Sequence, residues 1–235
     1  MLLMMASVAI SCSDPNPLDS YTRVPFEKTE TDDGNSDGDE DGAGGLFEKG
    51  NGTDSKPYMI MNDNYCGDGG IPGYIFTWLV PSEHTKSRLP VALAHETNHN
   101  VRFQFIKWHN DITLAEMMIS EGLAENFATY LYGEENVGSW VSKTDLETLN
   151  GYIKPIIRGG LDVQGLDNLT AYLYGDEMAK MQNYFPVGLP YCAGYACGYH
   201  MIKYYLKKTG KSIIEATKIP ADEILKEVEG FWDES

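Results

Sequence analysis

Five consecutive residues, His95-Glu96-Thr97-Asn98-His99, carry the most specific chemistry in the chain. They match the pattern H-E-x-x-H, and the surrounding run 91–107 contains neither Gly nor Pro, so a helix is expected there. On a helix, positions i and i+4 share a face, which lets both imidazoles reach one divalent cation. Glu96, next to the first histidine, is placed to hold an activated water and take its proton. The chemistry expected is hydrolysis assisted by one Zn²⁺ ion, with His95 and His99 as ligands and Glu96 as general base.

A catalytic zinc takes three protein ligands and keeps a fourth position open. A third histidine six residues after His99 is excluded, because positions 102 and 105 are Arg102 and Phe105. The alternative is a glutamate on the next helix, where Ser120-Glu121-Gly122-Leu123-Ala124-Glu125 lies in an otherwise apolar run. With helices ending near 107 and starting near 113, His99 and Glu121 each lie about 12 Å from the connection, at 1.5 Å per residue. Two antiparallel helices then bring Glu121 level with His99 as third ligand. Glu125, one turn on, faces the same side and is expected to accept the second ring N–H of a ligand histidine.

Further along, Tyr191, Tyr195 and Tyr199 form a stripe at four-residue spacing, beside a G-x-x-x-G face of Gly194 and Gly198. Hydrolysis needs a donor for the developing oxyanion, and Tyr195, Tyr199 and His200 are the candidates. A stripe that packs beneath the metal helices explains the same residues equally well.

The elements that must position these groups are two strands or a hairpin, at 58–61 and 73–80, followed by helices. Helices are expected at 91–107, at 113–132 with a Thr113–Glu116 capping box and Gly133 as stop, at 144–158 with a break at Pro155, at 191–209, and from Pro220. That is an α+β plan, mostly helical with a small N-terminal sheet. An edge strand to align an extended substrate is expected from 73–80.

The chain of 235 residues has a formal net charge of −17, which argues against nucleic acid as a partner because phosphate binding needs clustered Lys and Arg. Residues 11–50 hold eleven acids against three bases and account for −8 of that charge. The first eleven residues are uncharged, too short to span a bilayer and long enough for a signal-peptide core. Ala9-Ile10-Ser11-Cys12 resembles a bacterial lipobox, so residues 1–11 read as a lipoprotein signal peptide and Cys12 as the lipidated residue. Residues 12–56 then form a disordered acidic tether, and 57–235 the folded domain. Within the tether, Asp37-Gly38-Asp39-Glu40-Asp41-Gly42 with Glu48 satisfies a calcium-loop pattern, but no amphipathic helix flanks it, and it reads as solvated linker. Cys66 pairs with Cys192 or Cys197, or all three stay reduced; the spacing leaves both open.

The blocks LAHETNHNVRF, TLAEMMISEGLAENFATYLYGEE and YCAGYACGYHMIKYYLKKTGKSIIEATKIPADEIL resemble the YjaZ-like family of predicted zinc-dependent proteases, a gluzincin group, over about Gly73 to Leu225. The resemblance implies a zincin-like fold, zinc held by His95, His99 and Glu121, and Glu96 as general base. The expectation is a zinc metallopeptidase acting on a peptide or protein, held outside the cytoplasm at the bacterial cell envelope and touching the membrane only through its lipid anchor. The rival is a non-catalytic envelope lipoprotein that uses the same scaffold for binding or assembly.

Overall fold

A computed structural model of the chain describes residues 63–107, 109 and 111–233. Cys12, the acidic tether and the strand expected at 58–61 lie outside the described residues. Strands β1 (Tyr65–Asp68) and β2 (Phe76–Leu79) pair antiparallel, with Tyr65 opposite Leu79 and Asp68 opposite Phe76. β2 falls inside the apolar run 73–80. β1 is built from Tyr-Cys-Gly-Asp, whose composition reads as a turn. It becomes a strand because Tyr65 and Cys66 are buried and its small Gly67 fits against the helix below.

Helix α1 (Glu83–Arg102) starts before the expected residue 91 and ends before 107. A reciprocal cap sets its start: Thr85 N–H donates to Ser82 Oγ and Ser82 N–H to Thr85 Oγ1, both at 3.1 Å. Pro90 lies inside the helix instead of preceding it. Helix α2 (Leu114–Tyr132) matches its expected span, with Thr113 Oγ1 accepting Glu116 N–H at 3.2 Å and Gly133 as C-cap at φ 93°. Almost every residue of α2 from Leu114 to Thr129 is buried, which is the signature of a helix at the centre of a core.

The expected helix 144–158 is three pieces, α3 (Ser139–Ser142) having already turned the chain: α4 (Leu146–Thr148), a π-turn over Leu149–Ile153, and α5 (Lys154–Gly159). The cap is Asp145, which accepts Thr148 N–H at 2.7 Å. Pro155 follows directly on the π-turn, as the second residue of α5. Helices α6 (Leu166–Tyr174) and α7 (Asp176–Met181) have no counterpart among the expected elements. Then follow α8 (Ala193–Thr209), closed by Gly210 at φ 68°, α9 (Ile213–Ala216) and α10 (Ala221–Glu227). The protein is thus α+β, mostly helical with one small sheet on its N-terminal side. No helix of the described residues is long and apolar enough to cross a membrane.

Helix α2 is sandwiched between α1 and α8. The approach to α8 is close enough that a Cβ at Gly122 would lie 2.3 Å from Gly198 O, and one at Gly198 2.2 Å from Met118 O. On the other side, Arg102 is 0% exposed and ties the end of α1 to the start of α2. Its guanidinium donates to Glu116 Oε1 at 2.5 Å, Ser120 Oγ at 2.9 Å, Thr217 O at 3.0 Å and Ile219 O at 2.9 Å. The Glu116 carboxylate is therefore taken up by Arg102 instead of folding back to complete a capping box.

Candidate metal centre

The clamp at Arg102 fixes the register of α1 against α2, and the register brings three donor atoms together. His95 Nε2 and His99 Nε2 lie 3.1 Å apart, and each is 3.2 Å from Glu121 Oε2. All three side chains are buried. His99 stands only three residues before the last residue of α1, so the two helices meet by a shorter lever than a helix running to 107 would give. The level match of His99 and Glu121 nonetheless holds, because Arg102 and Glu116 pin the helices one turn away.

The donor set fits a tetrahedral ion. Ligands at about 2.05 Å from zinc in a tetrahedron stand about 3.3 Å from one another, close to the separations found here. Among the described residues, His95, His99 and Glu121 are the group of His, Cys, Asp or Glu side chains close enough to share an ion. Electrostatics points the same way. Burial alone would raise the Glu121 carboxyl, yet His99 and His95 hold it well below the usual carboxylate range. Burial opposes a charged His95, yet its bonds to Glu121 and Glu125 raise it well above an ordinary histidine. The carboxylates of Glu121 and Glu125 thus favour positive charge at the position of His95.

Glu125 supports the centre from behind. Its Oε2 lies 3.0 Å from His95 Nδ1 and accepts the Trp140 indole N–H at 2.9 Å, while Oε1 accepts Gly138 N–H at 2.5 Å. With Nδ1–H donated to a carboxylate, the His95 lone pair is left on Nε2, facing the cluster. Trp140 also packs edge-on against His95, with ring centroids 6.1 Å apart. His99 Nδ1 is buried without a partner among the described residues, and stacking on Phe103 at 5.8 Å orients that ring instead.

Glu96 lies beside the cluster, where burial raises its carboxyl and His95 and His99 pull it back down. Among the described residues no group donates a hydrogen bond to it. Directly over it runs β1: a Cβ on Gly67 would lie 2.5 Å from Glu96 Oε1, and one on Gly69 2.1 Å from Glu96 O. Val80 N–H donates to Asn64 O at 2.9 Å, one step beyond the Tyr65–Leu79 pair. By the alternation of antiparallel ladders, Cys66 and Asp68 then turn their backbone groups to β2, and Gly67 turns its own to the opposite edge. Among the described residues nothing bonds to the Gly67 N–H or C=O. The strand edge nearest Glu96 is therefore that of β1, while β2, from the segment 73–80, pairs along the other side of β1.

The three proposed donors separate. Tyr195, in the first turn of α8, is buried and packs on Tyr174 with ring centroids 5.5 Å apart. Tyr199 points elsewhere: its ring lies under Lys203 Nζ at 5.4 Å, and burial, Lys203 and Thr129 set its environment. His200 is half-buried, held down by burial and then by Lys203 and Lys154. Among the described residues, neither has a contact with His95, Glu96, His99 or Glu121. Sequence reasoning missed Tyr174, at the last turn of α6. Its phenol is raised by burial and by the charge of Glu121, with Glu96 adding, and it is hydrogen-bonded to Tyr195. No spacing signal marks it; only the packing of α6 against α8 does.

Cys66, Cys192 and Cys197 are buried free thiols. Burial pushes each up to about 12, so none is a ready thiolate ligand. Cys192 occupies the left-handed region at φ 49°, capping α8.

Two histidines one turn apart on a helix and a glutamate from the next helix form a group that could hold a metal ion, of the two-histidine, one-glutamate kind, with Glu96 beside it. The chain belongs to the family described as "Predicted Zn-dependent protease (DUF2268)", whose model matches residues 52–226. It is 39% identical over 170 residues to the uncharacterized protein YjfC of Bacillus subtilis (strain 168), covering 72% of this chain and 56% of that protein. It is 28% identical over 135 residues to the uncharacterized protein YjaZ of the same organism, covering 57% of this chain and 48% of that one. The chain thus spans about half the length of the curated relatives it matches. No solved structure matches.

Proposed function

We propose that the protein is a zinc metallopeptidase that hydrolyses peptide bonds in extended substrates. The observation that carries this reading is the convergence of His95 Nε2, His99 Nε2 and Glu121 Oε2 to within 3.2 Å, beside a Glu96 carboxylate that no described residue engages. His95, His99 and Glu121 would hold the ion; when bound, zinc supplies Lewis acidity that polarises the scissile carbonyl and lowers the pKa of water. Glu96 takes the proton from the attacking water as the C–O bond forms, then gives it to the amide nitrogen as the C–N bond breaks. Its raised affinity for a proton, caused by burial, suits both halves of that transfer. Tyr195, hydrogen-bonded to a Tyr174 phenol that feels the charge of Glu121 and Glu96, is the donor assigned to the carbonyl oxygen as it gains charge. The open edge of β1 at Gly67 supports an extended peptide as substrate, added as a strand across Glu96.

We further propose that Cys12 anchors the protein to the bacterial cell envelope, on the extracytoplasmic side. The uncharged residues 1–11, the Ala9-Ile10-Ser11-Cys12 sequence and the acidic run after it support this. The test of the catalytic reading is cleavage of a quenched fluorescent peptide library by the purified protein, before and after chelation and with zinc restored. Cleavage that chelation abolishes and zinc restores is expected. A protein that takes up zinc and cleaves nothing would be a binding scaffold instead.

A further inference from the structure

The hairpin that brings Gly67 over Glu96 is short, and at its closest approach to α1 it has no side chains to pack. Gly67 and Gly69 meet Glu96 through bare backbone, and a methyl at either position would collide. Tyr65, Cys66 and Ile75 anchor the strands by burial, but the Gly67–Gly69 stretch adds little apolar area, so the connection after it is left to a polar attachment. Asn100, the residue after the second ligand histidine, supplies it. Its Nδ2 donates to Ile71 O at 2.7 Å, Tyr74 O at 3.0 Å and Gly69 O at 3.2 Å, and its Oδ1 accepts Gly73 N–H at 3.1 Å. Four backbone groups of the connection between β1 and β2 therefore converge on one amide of the metal-bearing helix. That amide lies one residue from a ligand and holds the loop at the far end of the strand that overhangs the base.

We propose that Asn100 is a positioning residue for substrate: it clamps the β1–β2 connection to α1 and so holds the Gly67 edge at the distance from the metal centre that an extended peptide requires. The inference rests on the reading of the site as a peptidase. It predicts that Asn100 governs how well a peptide is aligned and leaves the metal ligands untouched. The amide chemistry gives a sharp contrast. Asn100→Asp keeps the size and shape of the side chain, but turns a donor that faces three carbonyl oxygens into a carboxylate that repels them. A residue that merely filled space would tolerate the change.

The test compares wild type with Asn100→Asp and Asn100→Ala, using a tripeptide hydroxamate, which spans the metal and the strand edge, and acetohydroxamate, which reaches the metal alone. In the wild type the tripeptide probe binds more tightly. In Asn100→Asp its affinity falls by roughly tenfold, the scale of one lost positioning interaction, while acetohydroxamate affinity and zinc content stay at wild-type values. For any cleaved peptide KM rises with kcat little changed. Hydrogen exchange gives a readout that needs no zinc: amides of Cys66, Phe76 and Trp78 exchange faster in both variants, and those of Leu114–Thr129 do not. Unchanged tripeptide affinity or unchanged exchange in Asn100→Asp overturns the proposal. So does an equal loss for both probes, which would place the damage in the metal centre. A wild type that binds the two hydroxamates equally also overturns it and leaves the metal assignment standing. A wild type that binds neither, with normal hairpin protection lost in Asn100→Asp, sinks the peptidase reading and not the clamp.

Discussion

Replacing Glu125 with Gln isolates the contribution of the groups behind the metal. The carboxylate serves three donors at once: Gly138 N–H at 2.5 Å on one oxygen, Trp140 Nε1–H at 2.9 Å and His95 Nδ1–H at 3.0 Å on the other. A glutamine is isosteric but has one acceptor oxygen. If that oxygen faces His95 and Trp140, its NH₂ opposes Gly138 N–H. If it faces Gly138, the NH₂ opposes two donors and His95 loses the bond that fixes its lone pair on Nε2. Either way at least one buried donor is left unpaired, at about 1–3 kcal/mol of folding stability. The loss of ligand orientation costs about 10–100-fold in zinc affinity, the range for groups that orient metal-binding histidines. Trp140→Phe removes one donor, keeps the ring edge against His95, and leaves the carboxylate in place, so its zinc affinity falls by less than about threefold. The assay is competition for zinc against a chromophoric chelator, with thermal melts of the zinc-free proteins run alongside. A folded Glu125→Gln protein that binds zinc within about twofold of wild type would refute the reasoning, because it would mean that His95 needs no partner.

Other outcomes follow from the same contacts. Arg102→Met leaves the Glu116 carboxylate, Ser120 and the carbonyls of Thr217 and Ile219 without their buried donor, and urea unfolding should show a loss of about 3–5 kcal/mol; a loss under about 1 kcal/mol would mean the clamp does not hold α1 to α2. His200 binds a proton less readily when folded, through burial and the neighbouring Lys203 and Lys154. The unfolded chain therefore holds more protons below the ordinary histidine range, so this contribution to stability is complete above pH 6.5 and is lost as pH falls beneath it; stability curves of His200→Gln should be flatter on that acid limb. Cys12→Ser in the full-length chain should move the protein from the membrane fraction to the soluble fraction of a bacterial host, whereas an unchanged distribution would exclude lipidation there.

The site was more legible in sequence than the frame around it. His95, Glu96, His99, Glu121 and Glu125 were marked because helical spacing of one turn is a local rule, and the local rule survives folding. Their meeting depended on Arg102, which in sequence looks like any helical arginine and acquires its role only when Glu116, Thr217 and Ile219 surround it. β1 was missed because Tyr-Cys-Gly-Asp lacks strand propensity, and its conformation is imposed by β2 and by the close fit of Gly67 on Glu96. Helix α1 starts ahead of the Gly- and Pro-free run 91–107 because the Ser82–Thr85 cap lies more than two turns upstream of it and the helix passes through Pro90. Tyr174 entered the site from a helix that the sequence did not announce, and Tyr199 and His200 left it because the stripe on α8 is divided by the Gly122–Gly198 contact, with Tyr195 toward Tyr174 and Tyr199 toward Thr129.

The measurement closest to the central claim is zinc content and peptide cleavage of wild type beside Glu96→Gln. Both proteins should hold one zinc, since Glu96 is not among the converging ligands. Only the wild type should cleave, with the variant slower by roughly 10²–10⁴-fold, the contribution of a general base. Cleavage by Glu96→Gln at the wild-type rate, or a wild type that carries zinc and cleaves no member of the library, would contradict the account.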